Sequence, residues 1–270
     1  MSVDVNLIKQ LRDLTFAPLK DCKECLIEAN GDLESAAELL RKKWIVSAGK
    51  KADRETKEGM VKALVINGKL IIIKLWCETD FVAKNELFIS LVDSIINLIA
   101  TQPDTNDVAT LDNNITNQIT EHINVTIGKL WENMKLSQVI IRTLWNTSAQ
   151  IYTHQGSKLI AVVCYTSLSD WSEVVANTIA MQLAAMNPEY IMMDDIPAEH
   201  MHTLKEQVMN ELRESGKPET MLEQIATGKL SKVFSEIVLT EQVCIIDDTK
   251  KIKDLMIWKL LLVAAIRVGL

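Results

Sequence analysis

One short plan occurs twice in this chain, and it restricts the fold more than any single residue does. KALVI and KLIIIKLW flank Asn67-Gly68, and SAQIYTH and KLIAVVCYTS flank Gln155-Gly156. The flanking runs are rich in β-branched residues, and Asn-Gly between two such runs is a strong hairpin signal. Each hairpin is followed by a polar turn, CETDFVAKN in one case and SLSDWSE in the other. An apolar stretch with helical periodicity comes next, ELFISLVDSIINLIA or VVANTIAMQLAA. The order strand, turn, strand, loop, helix therefore repeats, at a spacing too long for a solenoid. The expected class is α+β, with a two-lobed core in which each sheet is backed by a helix.

Three short helices are expected ahead of that core. Val3, Leu7, Leu11 and Leu14 recur at helical spacing, and Pro18 breaks the pattern. Asp21 is placed to cap CKECLIEA, Asn30-Gly31 to close it, and Asp32 to cap LESAAELLRKK. This module spans 1–45 and is too small to hold much core, which suits a docking role. Residues 46–59 are polar and charged and read as a linker with some helix. The core lobes then cover 60–144 and 145–270. Within the first lobe, TQPDTNDVATLDNNITNQ reads as loop, and HINVTIGKL leads back into structure. Within the second, Asn187-Pro188 ends the repeat helix. IPAEHMHTLKEQVMNELRES and ETMLEQIATGKLSKVFSEI read as two helices joined at Gly216 and Pro218, an antiparallel hairpin at about 198–232. The tail supplies a short helix and a last strand.

Charge narrows the partners. The 270 residues carry a net charge of −7, so phosphate-backbone binding is disfavoured and no nucleic-acid partner is expected. No apolar run reaches membrane-spanning length, and the N-terminus lacks a leader pattern. The five scattered cysteines suit a reducing cytoplasm. No Gly-rich phosphate loop, nucleophile elbow or zinc spacing occurs, so neither an enzyme nor a cofactor is expected. Cys22 and Cys25 share one predicted helix and read as packing. His200 and His202 read as a solvated face, and Met181, Met186, Met192 and Met193 as core filler.

At the turn Thr79-Asp80-Phe81-Val82, position alone leaves two readings of Phe81 open, a buried anchor between strand and helix or an exposed tip. A core aromatic belongs inside the strand, whereas Phe81 stands where the strand gives way to a helix. CETDFVAKNELF, IAMQLAAMNPEYI, SGKPE, EIVLTEQ and the leading LIKQLRDLT…DCKECLIEANGD together resemble the bacterial elongation factor Ts family over nearly the whole chain. That family is the nucleotide-exchange factor of elongation factor Tu.

The resemblance implies an N-terminal module like a ubiquitin-associated domain, two core lobes and a protruding helical hairpin. It also implies that Phe81 is an apolar wedge into the partner's GTPase domain, with Asp80 contacting polar groups beside it and Thr79 and Val82 completing the tip. Disturbing the Mg²⁺ site in this way loosens the β-phosphate, and GDP leaves. By the same resemblance His154 contacts the GTPase domain, and Arg12 and Leu19 face the partner from the first module. The family usually has methionine where Leu19 stands and glycine where Phe16 stands. A module that only holds elongation factor Tu without exchanging its nucleotide is the competing reading, and the intact tip argues against it.

The six tryptophans occupy odd places. Trp44 follows a basic helix end, Trp131 precedes Glu-Asn where the family reads Gly-Glu-Asn, and Trp76 falls where it has Asn or Gly. Trp145, Trp171 and Trp258 lie in or near predicted turns. Positions that suit glycine are strained by bulky side chains. Two readings are open: the source organism reads UGA as glycine and the sequence shows tryptophan in its place, or these are real, tolerated tryptophans, some partly buried.

Overall fold

The computed structural model describes residues 4–15, 17–214, 219–256 and 260–270. They form two compact units, one running to Thr143 and joined by Leu270, the other Leu144–Gly269. Both are α+β. Val3, Phe16, Gly216, Pro218 and Trp258, each given a part above, lie outside the described residues.

The first unit opens with helices α1 (Val5–Thr15), α2 (Leu19–Glu28) and α3 (Leu33–Gly49). Asn30 and Gly31 close α2 in left-handed conformations (φ 53° and 86°), and the Gly31 N–H reaches the Leu26 carbonyl at 2.8 Å. Asp32 caps α3 by accepting the Ser35 N–H at 2.8 Å, and the bonds to Ser35 hold its carboxyl below the usual range. Leu11, Cys22, Cys25, Leu26, Ala36 and Leu40 make a small core. Burial pushes both cysteine thiols up, in keeping with packing rather than chemistry.

Three local expectations for this region, at Leu14, Asp21 and Trp44, need correction. Leu14 is exposed rather than on the packed face. Asp21 sits in the first turn of α2, behind Pro18 at the cap position. Within the stretch read as a linker with some helix, residues 46–49 continue α3, and Ala48 is buried in the core of the adjoining sheet. Trp44 is therefore inside a helix, buried beside Gly128, and not at a helix end.

The hairpin follows as β1 (Glu58–Ile66) and β2 (Lys69–Cys77), with Asn67 and Gly68 both at positive φ as a primed turn demands. Then come α4 (Asp80–Ala83), α5 (Glu86–Ile99), α6 (Asn113–Leu130) and β3 (Met134–Thr143). The sheet order is β1-β2-β3, antiparallel throughout. Ile71, Ile73, Leu75, Val139 and Ile141 face Phe88, Val92, Ile95 and Ile99 of α5. The run read as loop is helical from Asn113 onward. Ile115, Ile119, Ile123 and Ile127, one every four residues, supply a narrow apolar stripe to the same core among otherwise polar side chains.

The second unit contains β4 (Ser148–His154), β5 (Leu159–Ser167), α7 (Ser172–Met186), α8 (Ala198–Glu214), α9 (Glu219–Ile237), α10 (Ile252–Met256) and β6 (Leu260–Gly269). Its sheet order is β4-β5-β6, again antiparallel. Gln155 and Gly156 turn the hairpin at positive φ, and Asn187 ends α7 in the left-handed region. Val175, Ile179 and Leu183 of α7 pack on Ala161, Val163 and Tyr165 of β5. Helices α8 and α9 share a cluster of Val208, Leu212, Leu222 and Ala226. Met186 is exposed, not core filler, and His200 is half-buried, with the Tyr190 hydroxyl 2.6 Å from its Nδ1.

The repeat is deeper than its sequence signal. In each unit a third strand returns beside the middle one, and the middle strand shifts register after its sixth residue, at Lys74/Leu75 and at Cys164/Tyr165.

Candidate partner-binding tip

The last residue of β2, Cys77, is buried, and its thiol is pushed up to about 12 by burial and by the charges of Glu132 and Glu58. Its Sγ donates to the Thr79 carbonyl at 3.1 Å. Two residues later the backbone turns. Thr79 is extended (φ −126°, ψ 157°), and its hydroxyl accepts the Val82 N–H at 3.4 Å, capping the single turn of α4. Asn85 then caps α5 by accepting the Leu87 N–H at 2.9 Å. Thr79 and Asn85 thus start two helices in succession.

This double turn sorts the side chains. Val82 and Ala83 point inward and join the sheet core, while Phe81 points outward and is 82% exposed. No other large apolar side chain among the described residues is more exposed. Asp80 lies in the first turn of α4, where a carboxylate suits the helix dipole, and Lys84 Nζ donates to it at 2.9 Å.

Sequence reasoning missed what holds this turn. Glu132 accepts from the Thr79 N–H at 2.9 Å through one carboxylate oxygen and from the Thr79 hydroxyl at 2.6 Å through the other. In return Glu78 accepts the Asn133 N–H at 2.6 Å. The Asn133 amide donates to the carbonyls of Ala52 and Arg54, at 3.1 and 2.8 Å. The two carboxylates continue the β2–β3 pairing past its last pair, Cys77 opposite Met134. The available signal was an acidic residue at the open end of each paired strand.

The other expected site residues lie elsewhere. Arg12 is exposed in the last turn of α1, and Leu19 is exposed at the start of α2. His154 ends β4 in the second unit, exposed, with the Tyr152 hydroxyl 3.2 Å from its Nδ1 and the two rings stacked. Among the described residues no three metal-ligating side chains converge, and no helix is long and apolar enough to cross a membrane. What the tip offers is an exposed apolar side chain flanked by a carboxylate.

Comparison with known proteins gives one consistent result. A family model described as Elongation factor TS matches residues 78–265. A protein named Elongation factor Ts from Hydrogenobaculum sp. is 37% identical over 260 residues, covering 94% of this chain and 93% of its own length. Proteins of the same name from Aquifex aeolicus and Pseudoalteromonas atlantica are 35% and 36% identical. They cover 95% of this chain, and 92% and 87% of their own lengths respectively.

Proposed function

The chain belongs to the elongation factor Ts family, and from that premise we propose that it is a guanine-nucleotide exchange factor for elongation factor Tu. The observation that carries the reading is the tip at 79–82, where Phe81 stands out to solvent on a backbone held from two sides. In this reading Phe81 enters a hydrophobic pocket of the GTPase domain and Asp80 meets polar groups beside it. The Mg²⁺ and phosphate site is disturbed, and GDP leaves. His154, Arg12 and Leu19 add contacts outside the tip. The three N-terminal helices act as a ubiquitin-associated-like docking module, and α8 with α9 as a helical hairpin.

No bond is made or broken, so the factor works in the cytoplasm by binding alone. A factor that prefers the nucleotide-free partner must weaken GDP by the same ratio. Burying one phenylalanine side chain contributes about 1.5–3 kcal/mol, or roughly ten- to a hundred-fold in an equilibrium. A single wedge is thus large enough to matter.

The test is release of a fluorescent GDP analogue from the cognate elongation factor Tu. The wild-type chain should accelerate release, and Asp80→Ala and Phe81→Ala should lose most of the acceleration. Binding without acceleration by the wild type would leave only the holding module.

A further inference from the structure

We propose that Glu132 is a positioning residue for exchange: it fixes the angle at which the tip presents Phe81, acting through Thr79. This rests on the exchange reading for its consequence but not for its geometry. The Thr79 hydroxyl is used twice, donating to Glu132 and accepting from Val82. It therefore couples the carboxylate directly to the one-turn helix that carries Phe81. Four residues cannot sustain a helix by themselves, because the first turn fixes several dihedrals for one hydrogen bond. The conformation of α4 must be imposed from outside. The inward side chains Val82 and Ala83 supply one constraint, and the bidentate Glu132 contact supplies the other. Glu78 and Asn133 make the contact reciprocal, so residues 78–79 and 132–133 hold each other in register.

The experiment compares Glu132→Ala, Glu132→Gln, Thr79→Val and the Glu132→Ala/Thr79→Val double variant. Amide hydrogen–deuterium exchange over 79–83 is read first, on the free protein. Loss of a charge-assisted pair should speed it at least about tenfold in Glu132→Ala, and less in Glu132→Gln, which keeps one acceptor oxygen. GDP release is read next, at saturating factor. Its maximal rate should fall in Glu132→Ala while the half-saturating concentration moves less, and the double variant should be no slower than the worse single one. Unchanged protection at 79–83 would overturn the clamp. Faster amide exchange with an unchanged maximal rate, or additive losses in the double variant, would overturn the positioning role. Failure of the wild type itself to speed GDP release would count against the exchange reading, while the amide measurement would still decide the clamp.

Trp131 stands just before this clamp. Among the described residues seven non-glycine residues have positive φ, and six of them are asparagine, glutamine or serine; the seventh is Trp131, at φ 63°. It closes α6, with its N–H on the Ile127 carbonyl at 2.8 Å, in the position that most favours glycine. Its ring is 53% exposed and lies 4.2 Å from the Lys51 ammonium. That ammonium, on a side chain from a residue only 5% exposed, is one of two buried polar side-chain atoms without a hydrogen-bond partner among the described residues. The other is the indole nitrogen of Trp44. We infer that residue 131 is glycine in the protein its source organism makes, from a UGA codon read as glycine. Glycine there would relieve the backbone and uncover Lys51 to water. Peptide mass mapping of protein purified from that organism decides it. A fragment lighter by the indole side chain at position 131 is expected, and a fragment retaining tryptophan there would overturn the inference.

Discussion

The two units share a meander and a register shift at the same place, yet they treat the turn after the middle strand differently. In the first unit, Thr79 is held by Glu132, a carboxylate 53 residues away in sequence. In the second, the acceptor is inside the turn itself. Ser172 Oγ takes the N–H groups of Leu168 and Ser169, both at 3.1 Å, and donates to the Ser169 carbonyl at 2.7 Å. The aromatic residues that follow Asp80 and Asp170 also differ in setting. Phe81 rides on a helical turn whose next two side chains are buried, whereas Trp171, 66% exposed, stands at the cap of α7 without a side-chain cap bond. A repeated fold therefore does not repeat a site. The scaffold is set by strand pairing and core packing, and the tip by long-range polar contacts found at 79–82.

If that contrast is right, the cores should respond alike. Phe88→Ala in the first unit should cost about 3–5 kcal/mol and Ile179→Ala in the second about 2–5 kcal/mol, read by denaturant unfolding, because both side chains are fully buried. A loss below about 1 kcal/mol in either would break the equivalence of the two cores. The tips should respond unequally. Phe81→Ala should cost about 2 kcal/mol or more of coupling to elongation factor Tu while leaving the melting temperature unchanged, as expected of an exposed interface centre. Trp171→Gly should leave GDP release unaltered.

Smaller still is the cap. Thr79→Val removes both uses of the hydroxyl and should destabilise the first unit by about 1–2 kcal/mol, whereas Thr79→Ser should be nearly neutral. The smallest effect at neutral pH concerns Cys77. Its thiol titrates near 9.0 when unfolded and about 12 when folded, so its contribution is complete below pH 9.0 and falls as pH rises toward 12. Cys77→Ser should flatten the alkaline limb of a stability–pH curve, and an unchanged limb would show that the thiol is not what titrates there.

Much of this was legible in the sequence because it depends on neighbours in the chain. Asn67-Gly68, Asn30-Gly31, Asp32 and Asn187 each act on residues within one turn, and each does what its side chain dictates. The features that escaped depend on distant partners. Helix α6 hides one isoleucine per turn in polar sequence, and only the sheet beneath it gives that stripe meaning. The basic run before Trp44 resembles a last turn, but Ala48 still has a core to join. Glu132 is marked only by its place at the open end of a strand, a signal that acquires meaning once β2 and β3 are known to pair and bring it to Thr79.

The most direct measurement is GDP release from elongation factor Tu at saturating factor, with Phe81→Ala and Trp171→Gly assayed side by side. The account predicts that the first loses most of the acceleration and the second keeps it. Equal losses in both, or full acceleration by Phe81→Ala, would contradict it.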